Sequence, residues 1–199
     1  MRQSEVRDIR RDPGAADFER ERSHEALMVA LRDGQVEALQ KLMDRFWDGL
    51  LAYSLRMLGR PDEAEDVAQE VFVAVWEHRT RWTPDGSVQA YLYRIARNLV
   101  LRRSRHTEVR VRTESEVRRR VPRVMTPMEE ASYAECRAAL ERALAALPTR
   151  RREAFSLVRL QGLSLGEAAE VMGVSRRTIT NHVYMAVKEL EVELRPFLP

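Results

Sequence analysis

Two groups of side chains in this sequence are of types that grip a partner rather than break a bond. The segment Asp62–Trp76, DEAEDVAQEVFVAVW, sets five acids within nine positions of a chain whose isoelectric point is about 9.3. The segment Ser175–Leu190, SRRTITNHVYMAVKEL, gathers Arg176, Arg177, Thr180, Asn181 and Tyr184, all able to reach phosphates or base edges of a nucleic acid. Arginine and asparagine matter most here, because each can contact a guanine or an adenine through two hydrogen bonds at once.

Both groups need helices to position them. At about 100° per residue, Ala64, Val67, Ala68, Val71, Phe72 and Val75 fall on one face of the first segment, and Asp62, Asp66, Gln69, Glu70 and Val73 on the opposite one. One face suits a core, and the acidic one either water or a partner. Just before the second segment, Leu165, Ala168, Ala169 and Met172 form an apolar stripe and Gly173 permits a tight turn, and within the segment Ile179, Val183, Val187 and Leu190 form the stripe of the following helix. Val174 plugs the junction between them. Ser164 with Glu167 reads as a capping box and Ser175 as a second cap. That arrangement is a helix-turn-helix, whose outward residues sit where a DNA major groove would be read. Arg150, Arg151 and Arg152 open the preceding helix and suit either backbone contacts or a solvated helix end.

The remaining punctuation predicts an all-α chain of two small helical domains joined by a flexible linker, the C-terminal one carrying the helix-turn-helix. Residues 1–22 are polar, contain Pro13-Gly14 and read as a flexible tail. Residues 23–105 hold four helices, interrupted at Gly34, at Gly59 with Arg60-Pro61, and at the loop RTRWTPDGS. Residues 106–127 lose the apolar period and read as a linker, with VRVRT as a possible short strand. Residues 128–199 form the second helical block, broken at Pro148, Gly162 and Gly173.

Charge is unevenly spread along the chain. Between Arg79 and Arg123 stand thirteen arginines against four acids, a balance of +9, so a chain of net charge +3 carries −6 elsewhere. One surface suits a polyanion and another a different partner. Only Lys41 and Lys188 are lysines, so a bias in genome composition accounts for arginine over lysine, but not for the clustering.

Other functions lack their residues. No nucleophile, base and orienting group come together, and there is no glycine-rich phosphate loop. Cys136 lies in an alanine-rich helix and reads as a buried structural thiol. It cannot form an internal disulfide, and His24, His78, His106 and His182 are too scattered for a local metal motif, so neither metal nor cofactor is expected. Without a membrane-length apolar run or a signal-peptide core, the sequence places the protein in the cytoplasm, with no direct membrane insertion.

Taken in order, DEAEDVAQEVFVAVW, YLYRIARN and ALAALPTRRREAFSLVRLQGLSLGEAAEVMGVSRRTI resemble the extracytoplasmic-function sigma factors of the sigma-70 family, from about His24 to Leu194. The resemblance implies a transcription initiation factor that binds core RNA polymerase and promoter DNA and hydrolyses nothing. Asp62, Asp66, Gln69, Glu70 and Val73 would then dock on the β′ coiled coil of the polymerase. The loop 79–87 and the helix after it would open the −10 element and hold one strand. Trp82, Tyr93, Arg94, Arg97 and Asn98 supply the stacking rings and cations for that task, at ~1–3 kcal/mol per stacked base. Tyr91 falls on the apolar side of that helix, whereas Tyr93, Arg94 and Arg97 point away from it; Trp82 either waits for a base or folds back over the bundle.

Arg176, Arg177, Thr180, Asn181 and Tyr184 would read the −35 duplex. An anti-sigma protein covering both blocks is a further partner that the resemblance admits. The sequence departs from common relatives at Thr180, His182 and Met185, where basic side chains are frequent, at Tyr91, where tryptophan is frequent, and in its basic linker. A conventional repressor or activator is the competing reading, and it leaves the acidic helix and the Trp82 loop without a task.

Overall fold

A computed structural model describes residues 13–84, 86–107 and 127–195, with side chains described over 23–84, 86–104, 135 and 137–195. Residues 108–126 of the linker, Asp85 and both chain ends lie outside the described residues, as does the side chain of Cys136, and with them the readings made for the strand VRVRT and the buried thiol; at the linker's edges α4 runs on to Thr107 and α5 starts at Pro127.

The chain is all α. The first unit comprises α1 (Pro13–Arg32), α2 (Val36–Leu58), α3 (Pro61–His78) and α4 (Val88–Thr107), with a short 3-10 turn at Arg79–Arg81. Helix α1 begins at Pro13, inside the segment read from sequence as a tail. The apolar period that makes a helix legible starts only near His24, because the residues before it are almost wholly polar. Gly59 ends α2 in the left-handed region at φ +70°, its N–H donating to the Leu55 carbonyl, and Pro61 opens α3, where its missing N–H costs nothing.

Helix α2 is the hub. It packs against α1, α3 and α4, burying Leu42, Phe46, Leu50 and Tyr53 at helical spacing. Helix α3 meets it with Ala64, Val67, Ala68, Val71, Phe72 and Val75, the whole of the face expected from sequence, and Trp47 stacks on Phe72 with ring centroids 6.2 Å apart. Val88, Leu92, Ala96, Leu99 and Val100 bring α4 into the same core.

The second unit comprises α5 (Pro127–Ala146), α6 (Thr149–Phe155), α7 (Leu165–Met172) and α8 (Arg176–Leu194). Helix α6 widens into a π turn at Ser156–Leu160 before Gly162 reverses the chain at φ +76°. Helices α7 and α8 are the helix-turn-helix. Gly173 at φ +65° makes the turn, the Val174 N–H donates to the Ala169 carbonyl at 3.0 Å, and Ala168 and Ala169 let the helices approach closely. Helix α8 buries Ile179, Val183, Ala186 and Leu190, and packs on α5 through Ala143, Leu144 and Leu147.

The two units touch. Helix α4 packs against α7, and Ala154, Leu157, Leu163, Ala168 and Ile179 belong to the same contiguous core as the first unit.

The cap of α7 gives a stability prediction. Ser164 Oγ accepts from the Glu167 N–H at 3.2 Å, and Glu167 Oε2 accepts from the Ser164 N–H at 2.7 Å. Ser164→Ala leaves the first of these donors without its partner at a helix end, so we expect a loss of about 1 kcal/mol. Urea unfolding should show a lower midpoint at an unchanged slope.

Candidate protein and nucleic-acid interfaces

The acidic face of α3 is open. Asp62, Asp66, Gln69 and Glu70 are exposed, and Val73 among them is 55% exposed. Its position follows from the helix period, since six apolar side chains on the other face are held in the core. Glu70 is braced by a neighbour, with Arg103 of α4 donating to its carboxylate at 2.6 Å. The face is therefore an exposed apolar side chain among acids, one of them held in place, a composition that suits a protein interface.

The recognition face of α8 is also as expected from sequence. Arg176, Arg177, Thr180, Asn181 and Tyr184 are all exposed and together line one shallow hollow of about 560 Å³. Ser175 caps the helix through the Thr178 N–H at 3.1 Å, and Thr180 Oγ1 donates to the Arg176 carbonyl at 3.0 Å. The hollow is thus built on the ordered first two turns. Lys188 extends the face, its ammonium lying 4.9 Å from the centroid of the Tyr184 ring. A hydrogen bond with Tyr184 holds that ammonium above lysine's ordinary value. The sequence carried the signal for Lys188, four residues beyond Tyr184, but the earlier positions drew the attention.

The third group is arranged differently from expectation. Arg94 and Asn98 are exposed and share a face one helical turn apart, but Tyr93 is only 1% exposed. Trp82 folds back and is buried in the first unit's core, and Tyr91, expected on the apolar side, is half-buried. Arg97 is paired rather than presented to solvent, its Nε donating to Glu153 Oε1 at 2.6 Å. The correction has a physical cause. Gln89, Tyr93 and Arg97 lie one turn apart on the side of α4 that periodicity assigns to solvent, and there the second unit covers them.

That cover is polar. Tyr93 Oη donates to Gln161 Oε1 at 2.6 Å, Gln89 Nε2 donates to the Gln161 carbonyl at 2.6 Å, and Tyr53 Oη donates to Glu153 Oε1 at 3.3 Å. The Tyr53 and Tyr93 rings meet edge to face at 5.5 Å. Glu153 and Gln161 were missed by sequence reasoning. A weak signal existed for Glu153, which stands one turn before Leu157 on the apolar stripe of α6.

The arginines opening α6 are engaged within the fold as well. Arg150 lies 3.7 Å from Glu153, Arg151 pairs with Glu189 of α8, and Arg152 donates to the Ala145 carbonyl at 2.8 Å. Burial lowers the Arg152 guanidinium below its ordinary value. Among the described residues no cluster of ligands could hold a metal ion, and no helix is long and apolar enough to cross a membrane.

Comparison with known proteins agrees with this architecture. Residues 42–109 match the family model for Sigma-70 region 2, and residues 137–190 match that for Sigma-70, region 4. The ECF RNA polymerase sigma factor SigF of Caulobacter vibrioides is 32% identical over 171 residues, covering 85% of this chain and 93% of that protein. The chain belongs to the extracytoplasmic-function sigma factors of the sigma-70 family.

Solved structures share the sigma factor's fold. CnrH, in complex with the cytosolic domain of CnrY, superposes with a TM-score of 0.64 at 25% identity, covering 86% of this chain and 96% of that one. RpoE of Bartonella quintana, in complex with the anti-sigma factor NepR, also gives 0.64, at 21% identity over 78% of this chain and 96% of that one. As a sigma factor the protein works by binding RNA polymerase and recognising promoters, and it is not an enzyme.

Tyr53 offers a test of the contact between the units. Burial, and then the neighbouring Glu153, hold its hydroxyl well above the usual tyrosine value. The folded state therefore keeps a proton that the unfolded chain loses near pH ~10. The contribution of this group is intact below that pH and declines as pH rises above it. In Tyr53→Phe, denaturant unfolding followed from about pH 9 to 11 should show a shallower alkaline loss of stability than the parent.

Proposed function

We infer that this sigma factor divides its task between three surfaces. The exposed face of α3, with Asp62, Asp66, Gln69, Glu70 and Val73, docks on the β′ coiled coil of core polymerase. The first unit melts the −10 element and holds one strand through Arg94 and Asn98, joined by Tyr93 and Arg97 when these are accessible. Trp82 takes part only by supporting the loop, since it is committed to the core. The second unit reads the −35 element as a duplex through α8.

The observation that carries this reading is the hollow on α8. Five side chains selected by helical spacing alone surround a single depression at the start of the second helix of a helix-turn-helix, and two of them are arginines. Phosphate contacts from such a helix set its register, and Asn181 can read a base edge. The mechanism needs no bond-making by the protein. Binding energy from duplex contacts places the first unit over the −10 region, and contacts to the separated strand then favour the opened state over the closed one. The solved complex of CnrH with the cytosolic domain of CnrY supports a second protein partner for this chain, for which an anti-sigma protein is our reading.

Two measurements test it. Labelled protein titrated with bacterial core polymerase in the absence of DNA should bind tightly and saturably, and Asp66→Arg should lose that binding while keeping its helical circular-dichroism spectrum. Ordinary binding by Asp66→Arg would remove the acidic face from the interface. For α8, Asn181→Ala should reduce discrimination at the −35 element by about 1–3 kcal/mol while changing affinity for unrelated duplexes little. An equal loss on every sequence would assign Asn181 to the backbone instead.

A further inference from the structure

The acids on the exposed face of α3 are not held alike. Among the described residues no ion pair reaches Asp62 or Asp66, whereas Arg103 of α4 pairs with Glu70. Its Nη2 donates to Glu70 Oε1 at 2.6 Å, and its Nη1 lies 3.5 Å from Oε2. The two partners also differ in exposure, since the Arg103 side chain is 20% exposed and that of Glu70 51%. The cation is the sheltered member of the pair, and the carboxylate is the one presented outward.

We propose that Arg103 is a positioning residue of the polymerase interface: without itself touching polymerase, it holds the Glu70 carboxylate in the orientation that docking uses. The proposal rests on the reading of the α3 face given above.

Three features favour positioning over a pair that only ties α3 to α4. The first is the geometry of the carboxylate. Oε1 is engaged at short range, while the longer contact leaves Oε2 able to accept from a partner's cation, an ionised carboxylate having about four acceptor sites over its two oxygens. The second is the place of Glu70 on its helix. Asp66 stands one turn before it and Val73 one turn after it on the same exposed face, and like charges four residues apart repel. An unbraced Glu70 would turn away from Asp66, and Arg103 keeps it beside Val73. The third is the side chain itself. Glutamate is among the residues that lose most rotamer freedom when fixed, so ordering it before docking removes that cost from binding.

The guanidinium also offsets part of the negative charge of the face, which by itself would weaken attraction to a basic partner. The two effects act on different rates. A change in charge steering appears in association, and a loss of ordered contact in dissociation.

The test follows labelled full-length protein as it binds and leaves bacterial core polymerase in the absence of DNA. It compares Arg103→Gln, Arg103→Lys, Glu70→Gln and the double variant carrying Arg103→Gln with Glu70→Gln, and urea unfolding of each free variant separates loss of fold from loss of docking. We expect Arg103→Gln to dissociate about tenfold faster with its association rate not reduced, and Arg103→Lys to fall between it and the parent, because an ammonium keeps the charge but not the planar fork. In the Glu70→Gln background the further change Arg103→Gln should alter dissociation by less than about twofold, as for a residue that acts only through the missing carboxylate. Unchanged or slower dissociation of Arg103→Gln overturns the proposal. An equal acceleration in the Glu70→Gln background also overturns it, making Arg103 a contact in its own right or a support of the fold. Parent-like binding by Glu70→Gln overturns it as well, and Asp66→Arg then shows how far the failure extends: lost binding leaves the α3 face standing without Glu70, and ordinary binding removes the face itself.

Discussion

A carboxylate withdrawn from water must find positive or hydrogen-donating partners, and Glu153 finds its partners across the boundary between the two helical units. Arg97 and Tyr53 meet it from the first unit, and beside that pairing Gln161 receives Tyr93 and Gln89, with Gly49 leaving room for Tyr93 and Gln161. With the units together the carboxylate is satisfied, so no bare charge is stranded at the boundary.

The polar part of that boundary differs from the apolar core that runs across it into both units. Apolar helix faces such as those of α2 and α3 gain by being buried under any conditions, and nothing in the solvent replaces their contacts. The boundary's hydrogen bonds and ion pair are of an exchangeable kind, since water can offer equivalent partners. Tyr93 and Arg97 use their hydroxyl and guanidinium donors to hold Gln161 and Glu153. The acidic face of α3 and the basic face of α8 lie outside this boundary and are open in the same structure. These two faces are therefore accessible without rearrangement, whereas Tyr93 and Arg97 are already engaged.

Much of the site was legible in the residues themselves. The six buried positions of α3, the capping box at Ser164, the left-handed glycines 59 and 173 and the five-residue hollow of α8 follow from local rules of period, cap and turn, each decided within one or two helical turns. Arg94 and Asn98 were placed correctly on the outer face of α4 by the same rule. Tyr93 and Arg97 were not, because helical periodicity separates a face that packs within its own unit from one that does not and is blind to a second unit settling on the outer face. For Trp82 the sequence left two placements open, and the structure takes the one folded back over the bundle. The N-terminal part of α1 escaped notice for the complementary reason, since a helix without an apolar stripe leaves no period to find.

The sequence by itself determined an all-α chain, the helix boundaries marked by glycine, proline and capping residues, the acidic and basic faces and the membership of a sigma factor family, because each depends on residues close together in the chain or on their order along it. Only the tertiary structure decided which polar side chains are available and which are already engaged. Arg97 and Glu153 are separated by 56 positions, and Tyr53 and Glu153 by 100. No local pattern carries information over such distances; the pairing exists because the apolar faces, once buried, bring these groups into a place where each must be satisfied by another.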